Sequence, residues 1–167
     1  MEVFHVAVAA EAFAAGLLAQ AGCDVLVQYG ANQPWYDLVA TRADQEVKVS
    51  VKGSQDGGWG LIQKYKSKDV SYAQAADQWA RAQSARIVYC FVQFKDVKLG
   101  ECPRVYLATV EEITEWHKAS RNGHGGTILW EEHSYASGVA ANTTDRIPAA
   151  WLFTQDRLDA LLIRLTR

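Results

Sequence analysis

Residues 34–55 read PWYDLVATRADQEVKVSVKGSQ. From Glu46 to Lys52 the residues alternate strictly, with Val47, Val49 and Val51 on one face and Glu46, Lys48, Ser50 and Lys52 on the other. That period is a β-strand with an unusually polar outer face. Trp35 to Thr41 reads as the strand before it, and the short connection through Ala43 and Asp44 makes an antiparallel hairpin the simplest geometry. With the turn centred on Ala43 and Asp44, Asp37 falls opposite Ser50, and Lys48 and Lys52 flank that pair on one face. An aspartate facing a lysine at the mouth of a hairpin can hold a hard divalent cation and position a water beside it, the parts that metal-dependent phosphodiester hydrolysis needs. A plainer reading covers the same residues: Asp37 caps a turn after Pro34, and the lysines keep an edge strand soluble.

Outward from this stretch, Val6 to about Ala21 is rich in Ala and Leu and stops at Gly22, as a helix does. Asp24 to Tyr29 is a short β-branched strand, and Gly30, Asn32 and Pro34 mark a turn. Beyond the hairpin, Gly53 to Gly60 reads as a glycine-rich loop. Ser71 to about Ala85 suits a helix, and Arg86 to Phe94 is an apolar strand fit for a sheet interior. Arg104 to Ala108 and Thr127 to Glu131 read as strands. Thr109 to Lys118 reads as a helix with Glu111 and Glu112 in its first turn, and Gln155 to Arg164 as an amphipathic one carrying Leu158, Leu161 and Leu162. The order predicts one α/β domain over residues 1–167, a mixed sheet core flanked by helices.

The chain has 167 residues, with 17 Lys and Arg against 19 Asp and Glu, a formal charge of −2. Hydrophobic residues make up 49%, which places it among globular proteins and away from disordered compositions. The balance argues against an evenly basic nucleic-acid binder, yet lysines gather between Lys48 and Lys68 while Glu111, Glu112, Glu115, Glu131 and Glu132 collect later. Cys23, Cys90 and Cys102 form neither a disulfide framework nor a zinc pattern, and Cys90 reads as a small buried hydrophobe. No apolar run is expected to approach the roughly 18 to 20 residues needed to cross a bilayer, since the richest, Val6 to Ala21, is interrupted by Glu11 and Gln20, and no basic segment precedes it. The expectation is a soluble, cytoplasmic protein without a membrane partner. No Gly-Lys-Ser/Thr ending and no G-x-G-x-x-G opening a helix points to a nucleotide cofactor. His5, His117, His124 and His133 match no paired spacing and are given no direct role.

A glutamate on an N-terminal helix (Glu11), a strand pair containing Tyr-Asp-Leu-Val, and then Val-Ser-Val-Lys-Gly-Ser together resemble the PD-(D/E)XK nuclease superfamily, the restriction-endonuclease-like fold. The likeness covers roughly the first half of the chain, through the helix at Ser71 and the strand at Arg86. It implies that Asp37 is the metal aspartate, that the Val51 carbonyl joins it, that Lys52 orients or activates the attacking water, and that Glu11 is the helix glutamate many members add. It also implies a DNA endonuclease using Mg²⁺, with Mn²⁺ as a substitute, and a homodimer. Ser50 departs from the pattern, standing where the family has Glu, Asp or Gln, and a hydroxyl is a weak Mg²⁺ ligand. The alternative register Glu46-Val47-Lys48 satisfies the pattern literally, but Glu46 lies opposite Thr41, roughly 13 Å along the ladder from Asp37. Loss of the strand acid also fits a second class, a catalytically inactive nuclease fold kept as a nucleic-acid- or protein-binding module.

Nucleic-acid contacts are expected at Lys48, Gln55, Trp59, Lys64 and Lys66. The Gly53–Gly60 loop has the freedom to approach a phosphate backbone, with Trp59 as a stacking platform for a base. Lys64, Lys66 and Lys68, with Tyr65 between them, would form a basic rim.

Overall fold

The computed structural model describes residues 1–28 and 35–166. Its helices are α1 (Val3–Gln20), α2 (Tyr72–Arg81), α3 (Val110–Ala119) and α4 (Gln155–Thr166). Its strands are β1 (Asp24–Val27), β2 (Leu38–Arg42), β3 (Gln45–Ser54), β4 (Gly58–Gly60), β5 (Ile87–Gln93), β6 (Arg104–Thr109), β7 (Ile128–Trp130), β8 (Glu132–Ser134) and β9 (Thr144–Arg146). The protein is mixed α/β. The main sheet has the order β1-β2-β3-β5-β6, antiparallel except where β3 runs parallel to β5. A parallel pair requires a long crossover, and the chain from Gln55 to Arg86 supplies it.

The chain divides into two compact units: Met1–Asp56, Arg86–Thr109 and Ala149–Arg167 form the first, and Gly57–Ala85 and Val110–Pro148 the second. In the first, the valine face of β3 (Val47, Val49, Val51) continues into Leu38, Ala40, Val88, Cys90, Val92, Val105 and Leu107. Against it lie Val6, Ala10, Ala14 and Leu18 of α1 and Leu158, Leu161 and Leu162 of α4. All seven residues of β5 are buried, as its unbroken apolar run requires of a strand with neighbours on both sides. The approach of α1 to β3 depends on Gly53: a Cβ there would stand 2.9 Å from Ala10 Cβ, Val6 Cγ1 and the Val6 carbonyl. Burial pushes the Cys90 thiol up to about 12, so it is inert, as its position in the apolar run implies.

In the second unit β4 pairs with β7 and β8 with β9, both antiparallel. Helix α2 opens on a capping box, in which Ser71 Oγ accepts the Gln74 N–H and Gln74 Oε1 accepts the Ser71 N–H. The buried side chains of this unit include Trp59, Ile62, Trp79, Ile113, Leu129 and His117.

Several boundaries differ from the sequence expectation. Strand β3 runs on to Ser54, and Gly58–Gly60 is a strand, so the glycine-rich segment is mostly ladder rather than loop. Glycine lets two backbones approach as readily as it lets one bend. Strand β1 ends at Val27 and β2 starts at Leu38; the expected Tyr29 end and the turn at Gly30, Asn32 and Pro34 lie outside the described residues. Helix α1 begins at Val3, taking in Val3 and Phe4, and its 18 residues are by length and composition apolar enough to cross a membrane. That corrects the expectation that no segment reaches this length. Four of its residues are buried in the core, and core helices pass the same test.

Candidate functional site

The hairpin forms in the expected register. Pairs run from Arg42–Gln45 to Leu38–Val49, with Thr41 opposite Glu46. The turn is Ala43 and Asp44, and Ala43 adopts φ 53°, a left-handed conformation that an alanine accepts at some cost. The ladder ends at Leu38, and there Asp37 takes over. Its N–H donates to the Val49 carbonyl at 2.8 Å. Its Oδ2 accepts the Val51 N–H at 2.6 Å, a short bond of the charge-assisted kind. Ser50 Oγ also points to Oδ2, at a long 3.4 Å, and Lys52 Nζ lies 4.0 Å from the same oxygen. All three contacts fall on Oδ2.

Glu11 belongs to this group. Its carboxyl is held above the usual carboxylate range, first by burial and then by the negative charge of Asp37, with Lys52 acting in the opposite direction. A helix residue, the end of β2 and the middle of β3 therefore share one electrostatic neighbourhood. The expected partners Asp37, Ser50, Val51 and Lys52 are in contact, and Glu11 lies within reach of the charges of Asp37 and Lys52.

Chemically, the arrangement offers a Glu11 carboxyl whose ionisation burial and the Asp37 charge oppose, an Asp37 Oδ1 with no hydrogen bond among the described residues, and an ammonium. In an extended strand a residue's N–H and C=O leave on the same edge. The Val51 carbonyl thus leaves β3 on the edge where its N–H meets Asp37. Such a set fits a hard cation, which would relieve the repulsion between Glu11 and Asp37 and accept carboxylate and carbonyl oxygens. Among the described residues no group of three or more His, Cys, Asp or Glu side chains gathers. Any cation here would rest on two carboxylates and backbone oxygen.

The other expected residues divide. Lys48 is exposed on β3 with Nζ 4.9 Å from the centre of the Tyr36 ring. Gln55 is exposed and exchanges hydrogen bonds with Met1, its Nε2 donating to the Met1 carbonyl at 2.8 Å and its Oε1 accepting from the amino group at 3.0 Å. Trp59 corrects the expectation of a stacking platform. It is 3% exposed, held in β4 opposite Leu129, so no base can reach its face. Lys64 and Lys66 lie in the second unit, each over a tyrosine ring: Lys64 Nζ is 5.0 Å from the centre of Tyr65 and Lys66 Nζ 5.0 Å from that of Tyr72.

Sequence reasoning missed Arg121, which joins this basic group, and His117, which ties the turn that carries it. Arg121 stacks its guanidinium carbon 5.6 Å from the centre of Tyr72 and donates from Nη1 to Tyr72 Oη at 3.4 Å. Their separation of 49 positions hides the pair from any periodicity. His117 was given no role, yet it is fully buried and donates from Nδ1 to the Gly126 carbonyl at 2.9 Å. Burial lowers its pKa to about 4, partly offset by that bond.

No protein-family model, curated protein or solved structure matches the chain. The functional reading rests on residues and geometry.

Proposed function

We propose that the protein is a metal-dependent nuclease with a restriction-endonuclease-like fold, hydrolysing phosphodiester bonds of DNA. The observation that carries the reading is the Asp37 carboxylate at the open end of a hairpin, fixed by the Val51 N–H at 2.6 Å and facing Lys52 at 4.0 Å. Glu11, coupled to both, supports it. In this reading Asp37, Glu11 and the Val51 carbonyl hold Mg²⁺, or Mn²⁺ in its place. The bound ion supplies Lewis-acid stabilisation of the charge that develops on the phosphate.

The chain's own groups do the rest. The Val51 N–H pins Oδ2 of Asp37 and so sets the direction in which Oδ1 points. The Lys52 ammonium donates to a water and orients it for in-line attack, while its positive charge favours the developing oxyanion. Ser50, buried beside Asp37 with its Oγ a long 3.4 Å from Oδ2, adds no charge to the site. The test is plasmid cleavage with Mg²⁺ or Mn²⁺, using wild type, Asp37→Ala and Lys52→Ala. Cleavage by wild type and none by either variant is expected; equal cleavage by all three sinks the assignment.

Ser50 favours a second reading, an inactive nuclease fold used as a binding module. The missing acid leaves only two carboxylates at the hairpin end. Salt-dependent DNA binding without cleavage under either metal selects it.

A further inference from the structure

In the second unit, three cations interleave with two aromatic rings. Tyr72, the first residue of α2, has Lys66 Nζ 5.0 Å and Arg121 Cζ 5.6 Å from its ring centre, and Lys64 Nζ stands 5.0 Å from the neighbouring Tyr65. An aromatic ring attracts a cation through its quadrupole without neutralising it, so the full charge stays available to an anion. Lys118 of the same unit shows the other outcome: its ammonium is spent on Asp77 at 2.8 Å and Glu115 at 3.1 Å. Among the described residues, Lys64, Lys66 and Arg121 have no such carboxylate partner. The N-terminus of α2 adds partial positive charge at the same place.

Arg121 is held there by a constrained turn. Arg121, Asn122, Gly123 and Gly125 adopt φ of 53°, 57°, 83° and 78°. Gly125 lies so close to the tyrosine that a Cβ on it would stand 2.5 Å from Tyr72 Cβ. The Arg121 N–H donates to both carboxylate oxygens of Asp145 at 3.0 and 3.1 Å, and Tyr135 Oη donates to one of them at 2.8 Å. The far end of the turn is tied to buried His117, whose Nδ1 meets the Gly126 carbonyl and whose own carbonyl accepts the Gly126 N–H at 3.3 Å. These restraints together deliver one guanidinium to one ring face, a loss of conformational freedom out of proportion to a solvated arginine.

We propose that Lys66 and Arg121, gathered on Tyr72, are a phosphodiester-binding site that grips a nucleic-acid strand by its backbone, with Lys64 on Tyr65 extending it. The choice of nucleic acid over other polyanions rests on the nuclease reading. The site carries no base-specific contact, so it binds without sequence preference.

The test is fluorescence anisotropy of a labelled DNA oligonucleotide in EDTA across a salt series, with wild type, Lys66→Ala, Arg121→Ala, Arg121→Lys and Lys118→Ala. Lys66→Ala and Arg121→Ala should each weaken binding about three- to tenfold near 0.1 M salt and lower the log–log salt slope by about 1. Arg121→Lys should keep the slope, which separates lost charge from a lost fold. Lys118→Ala should bind as wild type. Wild-type slopes for Lys66→Ala and Arg121→Ala overturn the site. So do an equal loss in Lys118→Ala, complete competition by inorganic phosphate or poly-glutamate, and a wild type that binds no DNA at low salt. Binding that depends on Arg121 in a protein that never cleaves leaves this site standing and sinks the nuclease reading; cleavage with binding indifferent to Arg121 does the reverse.

Discussion

At the end of the hairpin, charged groups meet one another; around Tyr72, cations meet an aromatic ring. Lys52 faces the Asp37 carboxylate at 4.0 Å, and Glu11 feels both. Lys66 and Arg121 instead share a ring, and Asp145, the carboxylate tied to their turn among the described residues, is engaged by a backbone N–H and a tyrosine hydroxyl. The first arrangement balances charge internally and suits chemistry on a cation and a proton. The second leaves positive charge uncompensated and suits holding an anion.

The largest effect expected is at the hairpin. Asp37→Ala or Lys52→Ala should lower Mg²⁺-dependent plasmid cleavage by about 10³-fold or more, the scale on which removing a group that stabilises transition-state charge is felt. Both side chains are partly exposed, so thermal stability should stay near wild type. Cleavage within tenfold of wild type would break the contrast, because the acid–lysine meeting would then be an ordinary ion pair.

Next come the two glycines that set backbones against other groups. Gly125→Ala places a methyl 2.5 Å from Tyr72 Cβ at φ 78°, and Gly53→Ala places one 2.9 Å from Ala10 and Val6. Strain of this kind costs roughly 2–4 kcal/mol, read as a lowered denaturant midpoint. Each variant sharpens the comparison differently. Gly53→Ala should disturb cleavage, since α1 carries Glu11, whereas Gly125→Ala should weaken DNA binding through Arg121. A variant that spares both stability and its own readout shows that the turn or helix is free to shift.

Much of the first region was legible because its information is local. Strict alternation at Glu46 to Lys52 and a two-residue turn define the register, and the register alone brings Asp37 to Ser50. The buried run of β5 was legible for the same reason. The second region was not. Trp59 sits among glycines that read as loop, and the pairing that sets it opposite Leu129 comes from a strand some seventy residues away. Tyr72 and Arg121 meet through a turn of left-handed residues anchored on His117, and no periodicity announces such a turn. Charge composition pointed to lysines between Lys48 and Lys68 but could not supply the arginine that completes them.

His117 makes the second region sensitive to acid. Its carbonyl partner can only accept, so Nδ1 carries the proton and Nε2 is bare, buried and without a partner among the described residues. The folded protein therefore takes up a second proton only near pH 4, against 6.5 for the free side chain. Between these values the unfolded chain binds the proton and the folded one does not. Stability should fall as pH drops through 6.5 and level off below 4, losing about 3 kcal/mol from this group. Urea denaturation from pH 7.5 to 4 measures it, and His117→Phe should flatten that part of the curve. An unchanged slope in the variant would assign the acid sensitivity to other groups and remove His117 as the anchor of the Arg121 turn.

The smallest effect is expected where the nuclease pattern is broken. Ser50 Oγ is 3.4 Å from Asp37 Oδ2, beyond the usual range for a hydroxyl donor, while the Val51 N–H at 2.6 Å already fixes that oxygen. Ser50→Ala should therefore cost no more than about 1 kcal/mol of stability and change cleavage only a few-fold. A loss above tenfold in cleavage, with the metal concentration for half-maximal activity raised in step, would mean that the hydroxyl joins the cation's ligands. The hairpin end would then carry three protein side-chain oxygens on the ion rather than two. Unchanged metal dependence leaves Glu11 and Asp37 to bear the charge alone, which is the arrangement that the coupling of those two carboxylates describes.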